Sequence, residues 1–246
     1  MNEAIKVTQV AKDIYVFTDL GSDFSSNATV IITSEGPIII DVFKDSFQFD
    51  SIKCFINDLG FETPAAIIYT HWHSDHTCGN TIFSDCKIIA SEYTKRHLES
   101  FILNDLERLR VKGIVEKDAM PILPNMTFVN TINLTIGERE LELVHCPGHS
   151  FDSILVYDKI SQTLIAGDNL VGQEVAFFMP PVIPPDEVDA QAEDLFSAFS
   201  VIEKFHSKVL VPGHGSIDLP DVILRLNRER YNKLALSNGD FNESRI

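Results

Sequence analysis

Basic residues are scarce in this chain: 20 Lys and Arg stand against 36 Asp and Glu, a formal net charge of −16. That imbalance repels a phosphate backbone at long range, so nucleic acid is not expected as a partner and a small-molecule substrate is favoured. Cysteine is sparse as well. The four present, Cys54, Cys78, Cys86 and Cys146, lack the paired spacing of a disulfide framework, which fits a reducing compartment. No apolar run approaches membrane-spanning length, and Met1-Asn2-Glu3-Ala4 lacks the charged-then-apolar pattern of a secretory signal. A cytoplasmic protein with no membrane association is therefore expected. No Pro/Gly/Ser-rich linker, charge block or low-complexity tract interrupts the 246 residues, so a single domain over 1–246 with a sizeable core is expected.

What the chain does have is concentrated in Tyr69-Thr70-His71-Trp72-His73-Ser74-Asp75-His76. This stretch follows Ala65-Ala66-Ile67-Ile68, an apolar run with the length and β-branched content of a buried strand, so His71 falls where that strand ends. Extended geometry repeats every two residues, which predicts that His71 and His73 point to the same side. Asp75 and His76 follow as the chain turns, with Gly79-Asn80 as punctuation. Imidazole nitrogen and carboxylate oxygen are the donors that zinc, iron and manganese prefer.

Distant segments repeat the arrangement. Glu140-Leu141-Glu142-Leu143-Val144 alternates like a half-exposed strand and leads through Cys146-Pro147-Gly148 to His149. Thr163-Leu164-Ile165-Ala166 ends in Gly167-Asp168, and Lys208-Val209-Leu210-Val211 runs into Pro212-Gly213-His214-Gly215. The glycines beside His214 let the backbone come close to whatever that ring touches. Donors delivered at strand ends match the placement of ligands beyond the carboxyl ends of strands in open α/β sheets. Bringing these imidazoles and carboxylates together with no cation leaves buried charge and unpaired donors, each costing several kcal/mol.

In their order, H-x-H-x-D-H, P-G-H, G-D and G-H-G resemble the metallo-β-lactamase superfamily of hydrolases, over essentially the whole chain. The resemblance implies an α/β fold, a four-layer αββα sandwich of two mixed β-sheets. It also implies that His71, His73 and His149 hold one divalent metal, that Asp75, His76 and His214 hold a second, and that Asp168 bridges them. Zinc is the expected ion, with iron or manganese as alternatives. Metal lowers the pKa of bound water from about 15.7 to roughly 7, so a metal-bridging hydroxide is expected to attack a small-molecule ester, thioester or lactone. Asp75 is the candidate catalytic residue, passing a proton to the leaving group.

Rival functions are phosphodiester hydrolysis, a mononuclear-iron dioxygenase of the persulfide type, and a non-enzymatic binding module. The presence of Asp168 argues against drug hydrolysis as the main activity, because metallo-β-lactamases do not normally carry that carboxylate. Only about one helix, Asp221 to Leu236, is expected after His214, which is less than the glutathione-binding region of glyoxalase II.

Several residues around the motifs carry weaker expectations. Asp41 closes the run Pro37-Ile38-Ile39-Ile40 and is a candidate partner of the His71 loop, although Val42-Phe43 replaces the D-T-G continuation common in the family. His145 neighbours the P-G-H turn and is a weaker candidate for such support, whereas His97 and His206 read as solvated surface residues. Cys78 and Cys146 read as small packing residues. Ser91 to Leu109 is helical by periodicity, with Leu98, Phe101, Ile102, Leu106 and Leu109 on one face. The segment Ala176-Phe177-Phe178-Met179-Pro180-Pro181-Val182-Ile183-Pro184-Pro185 excludes a regular element and is expected as a substrate-pocket wall or a homodimer contact.

Overall fold

The computed structural model describes residues 5–21, 25–113, 120–173 and 192–242. The first half runs β1 (Ile5–Ala11), β2 (Ile14–Asp19), β3 (Asn27–Ile31), β4 (Ile38–Ile40), α1 (Ser46–Asp58), β5 (Ala66–Ile68), α2 (Ser74–Thr77), β6 (Lys87–Ser91), α3 (Glu92–Asn104), α4 (Leu106–Val111) and β7 (Met126–Phe128). The second half runs β8 (Thr131–Ile136), β9 (Arg139–His145), β10 (Ile154–Asp158), β11 (Thr163–Ile165), α5 (Ala192–Lys204), β12 (Val209–Val211) and α6 (Pro220–Asn242). Strands β1 to β7 form one sheet in sequence order, and β12-β11-β10-β9-β8 form the other. Both are mixed. Strands β4 to β7 pair in parallel after an antiparallel start, and β11 pairs in parallel with β12.

Side-chain alternation shows how the layers stack. Ile38, Ile40, Ala66 and Ile68 point inward and meet Leu141, Leu143, Ile154, Val156, Ile165 and Val211 of the second sheet. Their neighbours Ile39 and Ile67 point outward onto Phe49, Ile52 and Ile56 of α1 and Leu98 of α3. On the far side Leu155, Leu164 and Leu210 meet Leu195, Ala198, Phe199 and Ile202 of α5 with Ile223 and Tyr231 of α6. Three apolar seams separate four layers, helix, sheet, sheet, helix, as expected. Strands such as Ile38–Ile40 are apolar at every position because both of their faces are covered.

The helix expected over Ser91 to Leu109 is interrupted. Ser91 Oγ accepts the Thr94 amide at 2.9 Å and starts α3, but the backbone swings at Asp105 (φ −119°, ψ −30°) before α4 resumes. The apolar face survives the break, since Phe101 and Leu106 are buried against Cys78 with Ile102, Leu109 and Trp72 beside them. The last helix reaches Asn242, beyond the Leu236 expected. Residues 176–185 lie outside the described residues, and among those described no helix is long and apolar enough to cross a membrane.

Candidate metal centre

All the expected donors converge at one end of the sandwich, where β4, β5, β9, β11 and β12 run out. They form two groups, His71, His73, His149 and Asp168, and then Asp75, His76 and His214. In the first, His73 Nδ1 lies 2.9 Å from His71 Nε2 and 3.0 Å from His149 Nε2. Asp168 Oδ2 lies 3.6 Å from His71 Nε2 and 3.3 Å from His149 Nε2. In the second, His76 Nε2 and His214 Nε2 are 3.4 Å apart, with Asp75 Oδ2 at 3.4 and 3.3 Å from them. Asp168 reaches both groups: Oδ1 lies 3.2 Å from His76 Nε2 and Oδ2 lies 3.1 Å from His214 Nε2.

His71 and His73 share a side for a reason other than strand alternation. Neither lies in β5; both sit in the bend that joins it to α2. One offers Nε2 and the other Nδ1, so the rings meet edge to face at 80°. Asp75 and His76 then occupy the single turn of α2, which returns them toward the same point.

A second ring of side chains fixes how the imidazoles face. Asp41 Oδ1 accepts the Thr70 amide and Oδ2 accepts the Thr70 hydroxyl, each at 2.8 Å. Because that hydroxyl proton is already given away, Thr70 Oγ1 is the acceptor for His71 Nδ1, 3.1 Å distant. Asp41 Oδ2 also receives His76 Nδ1 at 2.9 Å. One carboxylate therefore sets the tautomer of two rings, leaving each Nε2 lone pair directed inward. Asp41 was expected to support the His71 loop; it does so through Thr70, and its direct imidazole partner is His76.

Other supports carried no motif. Asn169 Oδ1 accepts the His149 amide at 2.7 Å, Asn169 Nδ2 donates to the Cys146 carbonyl at 3.0 Å, and Tyr231 on α6 donates its hydroxyl to the Asn169 carbonyl. Ser26 Oγ donates to Asp75 Oδ2 at 3.0 Å. Asn27 Nδ2 clamps the His214 loop through the carbonyls of Pro212 at 2.9 Å and Gly215 at 3.0 Å. Gly213 is needed because a Cβ there would stand 2.0 Å from Asp168 Oδ1. Only the position of Asn169 beside Asp168 hinted at any of this.

The remaining expectations divide. His145 does not touch the donor groups: its Nε2 lies 2.8 Å from the Phe151 carbonyl and its ring stacks on Tyr93, bracing the loop that carries His149. His206 is exposed, as expected. His97 is not solvated. Its side chain is 15% exposed and packs on Trp72, because α3 turns Thr94, Leu98 and Phe101 into the core and His97 shares their side. Cys78 and Cys146 are buried packing thiols, and burial pushes both up to about 12.

Charge in the cluster is unevenly held. Burial lowers His71 well below the ordinary imidazole value and lowers His149 to about 4, so both are neutral donors. Burial alone would lower His76 and His214 too, but Asp168 and Asp75, with Asp41 for His76, raise them. Burial works against ionisation of Asp75 and Asp168, yet the neighbouring histidines hold both below the usual carboxylate range. Carboxylates and imidazoles in the cluster thus favour each other's charged forms. Asp168 Oδ1 is buried with no hydrogen-bond partner, and His73 Nδ1 crowds against two other ring nitrogens at 2.9 and 3.0 Å. That donor set fits divalent metal.

Residues 21–214 match the model of the Metallo-beta-lactamase superfamily. A metallo-beta-lactamase type 2 of Elizabethkingia meningoseptica is 24% identical over 169 residues, 66% of this chain and 61% of that protein, so the match spans about three-fifths of that relative. Among solved structures, a metallo-beta-lactamase from Pontibacter korlensis superposes with a TM-score of 0.68 at 20% identity, covering 90% of this chain and 95% of its own. A double mutant of the sec-alkyl sulfatase PisA1 superposes with a TM-score of 0.76 at 16% identity, covering 98% of this chain and 44% of the sulfatase. At such identities the superpositions speak for the fold, while the family match extends over the strands, loops and histidines that build the donor cluster. The chain belongs to the metallo-beta-lactamase superfamily.

Proposed function

We propose that the protein is a metal-dependent hydrolase of a small-molecule ester, thioester or lactone. The observation that carries this reading is the convergence of the two donor groups on Asp168. His71, His73 and His149 would hold one divalent ion and Asp75, His76 and His214 the other, with Asp168 between them and zinc the ion best matched to nitrogen and oxygen donors. Such ions, when bound, polarise a substrate oxygen and bring the pKa of water from about 15.7 to roughly 7.

The chain's own residues supply orientation, access and proton handling. Asp41 and Thr70 keep Nε2 of His71 and His76 turned inward. His71, His76 and His214 are sealed from solvent, whereas the Asp75 side chain is 30% exposed, so substrate enters past Asp75. Ser26 fastens Asp75 Oδ2 and leaves Oδ1 to take a proton and return it to the departing oxygen or sulfur. The net charge of −16 disfavours large polyanions as substrate.

Elemental analysis of the purified protein, combined with a panel of ester, thioester, lactone, phosphodiester and sulfate-ester substrates, tests the proposal. Two divalent ions per chain and chelator-sensitive turnover of an acyl substrate are expected. One iron per chain with oxygen consumption would replace the reading by an oxygenase, and preference for a phosphodiester or sulfate ester would reassign the substrate class. Asp75→Asn should retain metal and lose about 10²- to 10⁴-fold in turnover, the usual worth of a positioned acid or base. Full turnover with both ions bound would end its proton-carrying role.

A further inference from the structure

Beyond the reach of the second sheet, the inner face of β1 and β2 turns from apolar to polar. Val16 of β2 is buried in the seam between the sheets, and Val10 at the end of β1 packs against it. Farther along the same face stand Thr18 and its cross-strand partner Lys6, with Thr8 opposite Val16. Lys6, Thr8 and Thr18 floor a cavity of about 190 Å³, walled by Leu20 and Ser25 on one side and by residues 215–217, just after His214, on the other. The cavity adjoins the donor cluster. Ser26 bridges to His214 and its hydroxyl holds the partly exposed Asp75, and the next residues in each segment, Ser25 and Gly215, already belong to the cavity wall. The Gly215 amide donates to the Ser25 carbonyl at 2.9 Å, and Ser25 keeps a left-handed φ of 48° there. Residues other than glycine adopt that conformation at a cost, and such positions gather at functional sites.

The lining selects by charge and by size. Lys6 has no carboxylate partner among the described residues, in a chain whose acidic residues outnumber the basic by 36 to 20. Such a cation is left to an anion from outside. Thr8 and Ser216 bring hydroxyls able to donate, while the Thr18 hydroxyl is given to Asn27 Oδ1 at 2.7 Å and holds the floor in place. Leu20 and Ile217 supply apolar wall. A volume of about 190 Å³ lies below the roughly 300 Å³ at which pockets enclose a whole drug-sized molecule, so one substituent fits. One ammonium matches one negative charge, whereas a phosphate group carries about two and would stay under-compensated in a chain of net charge −16. We propose that the cavity receives a carboxylate carried on a short apolar stem. Two sources share that chemistry: the far end of the hydrolysed molecule running past Asp75, which rests on the proposed function, and a free small acid, which does not.

Amide NMR of the purified protein, titrated with butyrate, butyramide and inorganic phosphate, provides the test, with Lys6→Gln, Thr8→Val and Lys87→Gln compared to the parent. Butyrate should move the amides of Lys6, Thr8 and Ser216 saturably. Butyramide has the same shape without the charge and should bind at least about 10-fold more weakly, the worth of one hydrogen bond to a charged group. Lys6→Gln should lose butyrate by the same factor and melt at the parent temperature, since Lys6 is exposed. Thr8→Val should weaken butyrate to a smaller extent. Lys87→Gln removes an equal charge from the start of β6, the end of that strand away from the donor cluster, and should change nothing. Turnover separates the sources. A KM raised in Lys6→Gln for monomethyl succinate but not for dimethyl succinate, with kcat kept, assigns the carboxylate to the substrate; equal KM values with butyrate still seated in the parent assign it to a free acid. Butyrate shifts confined to the His149 loop, shifts that survive Lys6→Gln, butyramide binding as tightly as butyrate, or phosphate binding more tightly overturns the inference. A protein that takes butyrate at Lys6 but holds no metal instead overturns the proposed function and leaves the cavity its ligand.

Discussion

Gly213→Ala is the sharpest probe of how Asp168, the carboxylate that reaches both donor groups, is seated. An added Cβ would stand 2.0 Å from Asp168 Oδ1, 2.7 Å from the Gly167 carbonyl carbon and 2.8 Å from the Asp168 amide. Two of these atoms belong to the backbone, and no rotamer relieves them. Nor can the loop back away freely, since the Gly213 amide donates to the carbonyls of Gly167 at 2.8 Å and Leu170 at 3.1 Å. Asp168 must therefore shift by roughly 1 Å, a displacement that in an active site costs about 10²-fold in rate. Overpacking of this kind destabilises by about 1–3 kcal/mol, offset by about 0.4–1 kcal/mol from the stiffer unfolded chain. The net stability loss is modest, whereas both donor groups lose their shared oxygen. Gly113→Ala is the control: nothing lies within 4 Å of its Cβ, and only its φ of +68° resists the methyl. Metal content, turnover and urea denaturation should show comparable small stability losses in the two variants and loss of metal only in Gly213→Ala. A Gly213→Ala protein with parent-like metal content and turnover would refute the argument that this close approach seats Asp168.

Acid should empty the two donor groups in sequence. Raised imidazoles keep their protons to higher pH, so as pH falls the Asp75, His76 and His214 group should release metal first, while His149, lowered to about 4, holds the other group longer. Metal retained per chain across a pH series checks this, and simultaneous release of both ions would contradict it. Phe43→Gly tests a strained position, since Phe43 has a φ of 62° and is 1% exposed. Backbone relief is worth about 1–3 kcal/mol and loss of a buried phenyl costs about 3–5 kcal/mol, so urea denaturation should show a net loss of about 2 kcal/mol. A gain would mean that strain outweighs packing there.

The parts legible in the sequence were those written in contiguous residues. His71, His73, Asp75 and His76 announce themselves, and each distant donor follows a short β-branched run whose end is easy to place. Continuous apolarity in Ile38–Ile40 and Val209–Val211 foretells strands covered on both faces. The supports were invisible because they are single polar residues chosen by tertiary contact. Asn27 meets Pro212 across 185 residues, Tyr231 meets Asn169 across 62, and Ser26 meets Asp75 across 49. Nothing local distinguishes these from ordinary turn or helix residues. His97 was misread for a related reason: its neighbours in sequence are charged, but its neighbours in space are Trp72 and Asp152. The break at Asp105 was hidden too, since a helical period continues through it.

The Asn27 clamp has a consequence for biosynthesis. The carbonyls it grips belong to residues 185 and 188 positions further along the chain. At about 5–20 residues per second, a ribosome needs roughly 10 to 40 s to travel that distance. For the part of this interval between His76 and Asp168, the emerging polypeptide holds His71, His73 and His76 but has not yet made Asp168 or His214. On the proposed reading, an ion met in that window would find a partial, open nest, and selective loading would wait until translation has passed Gly215.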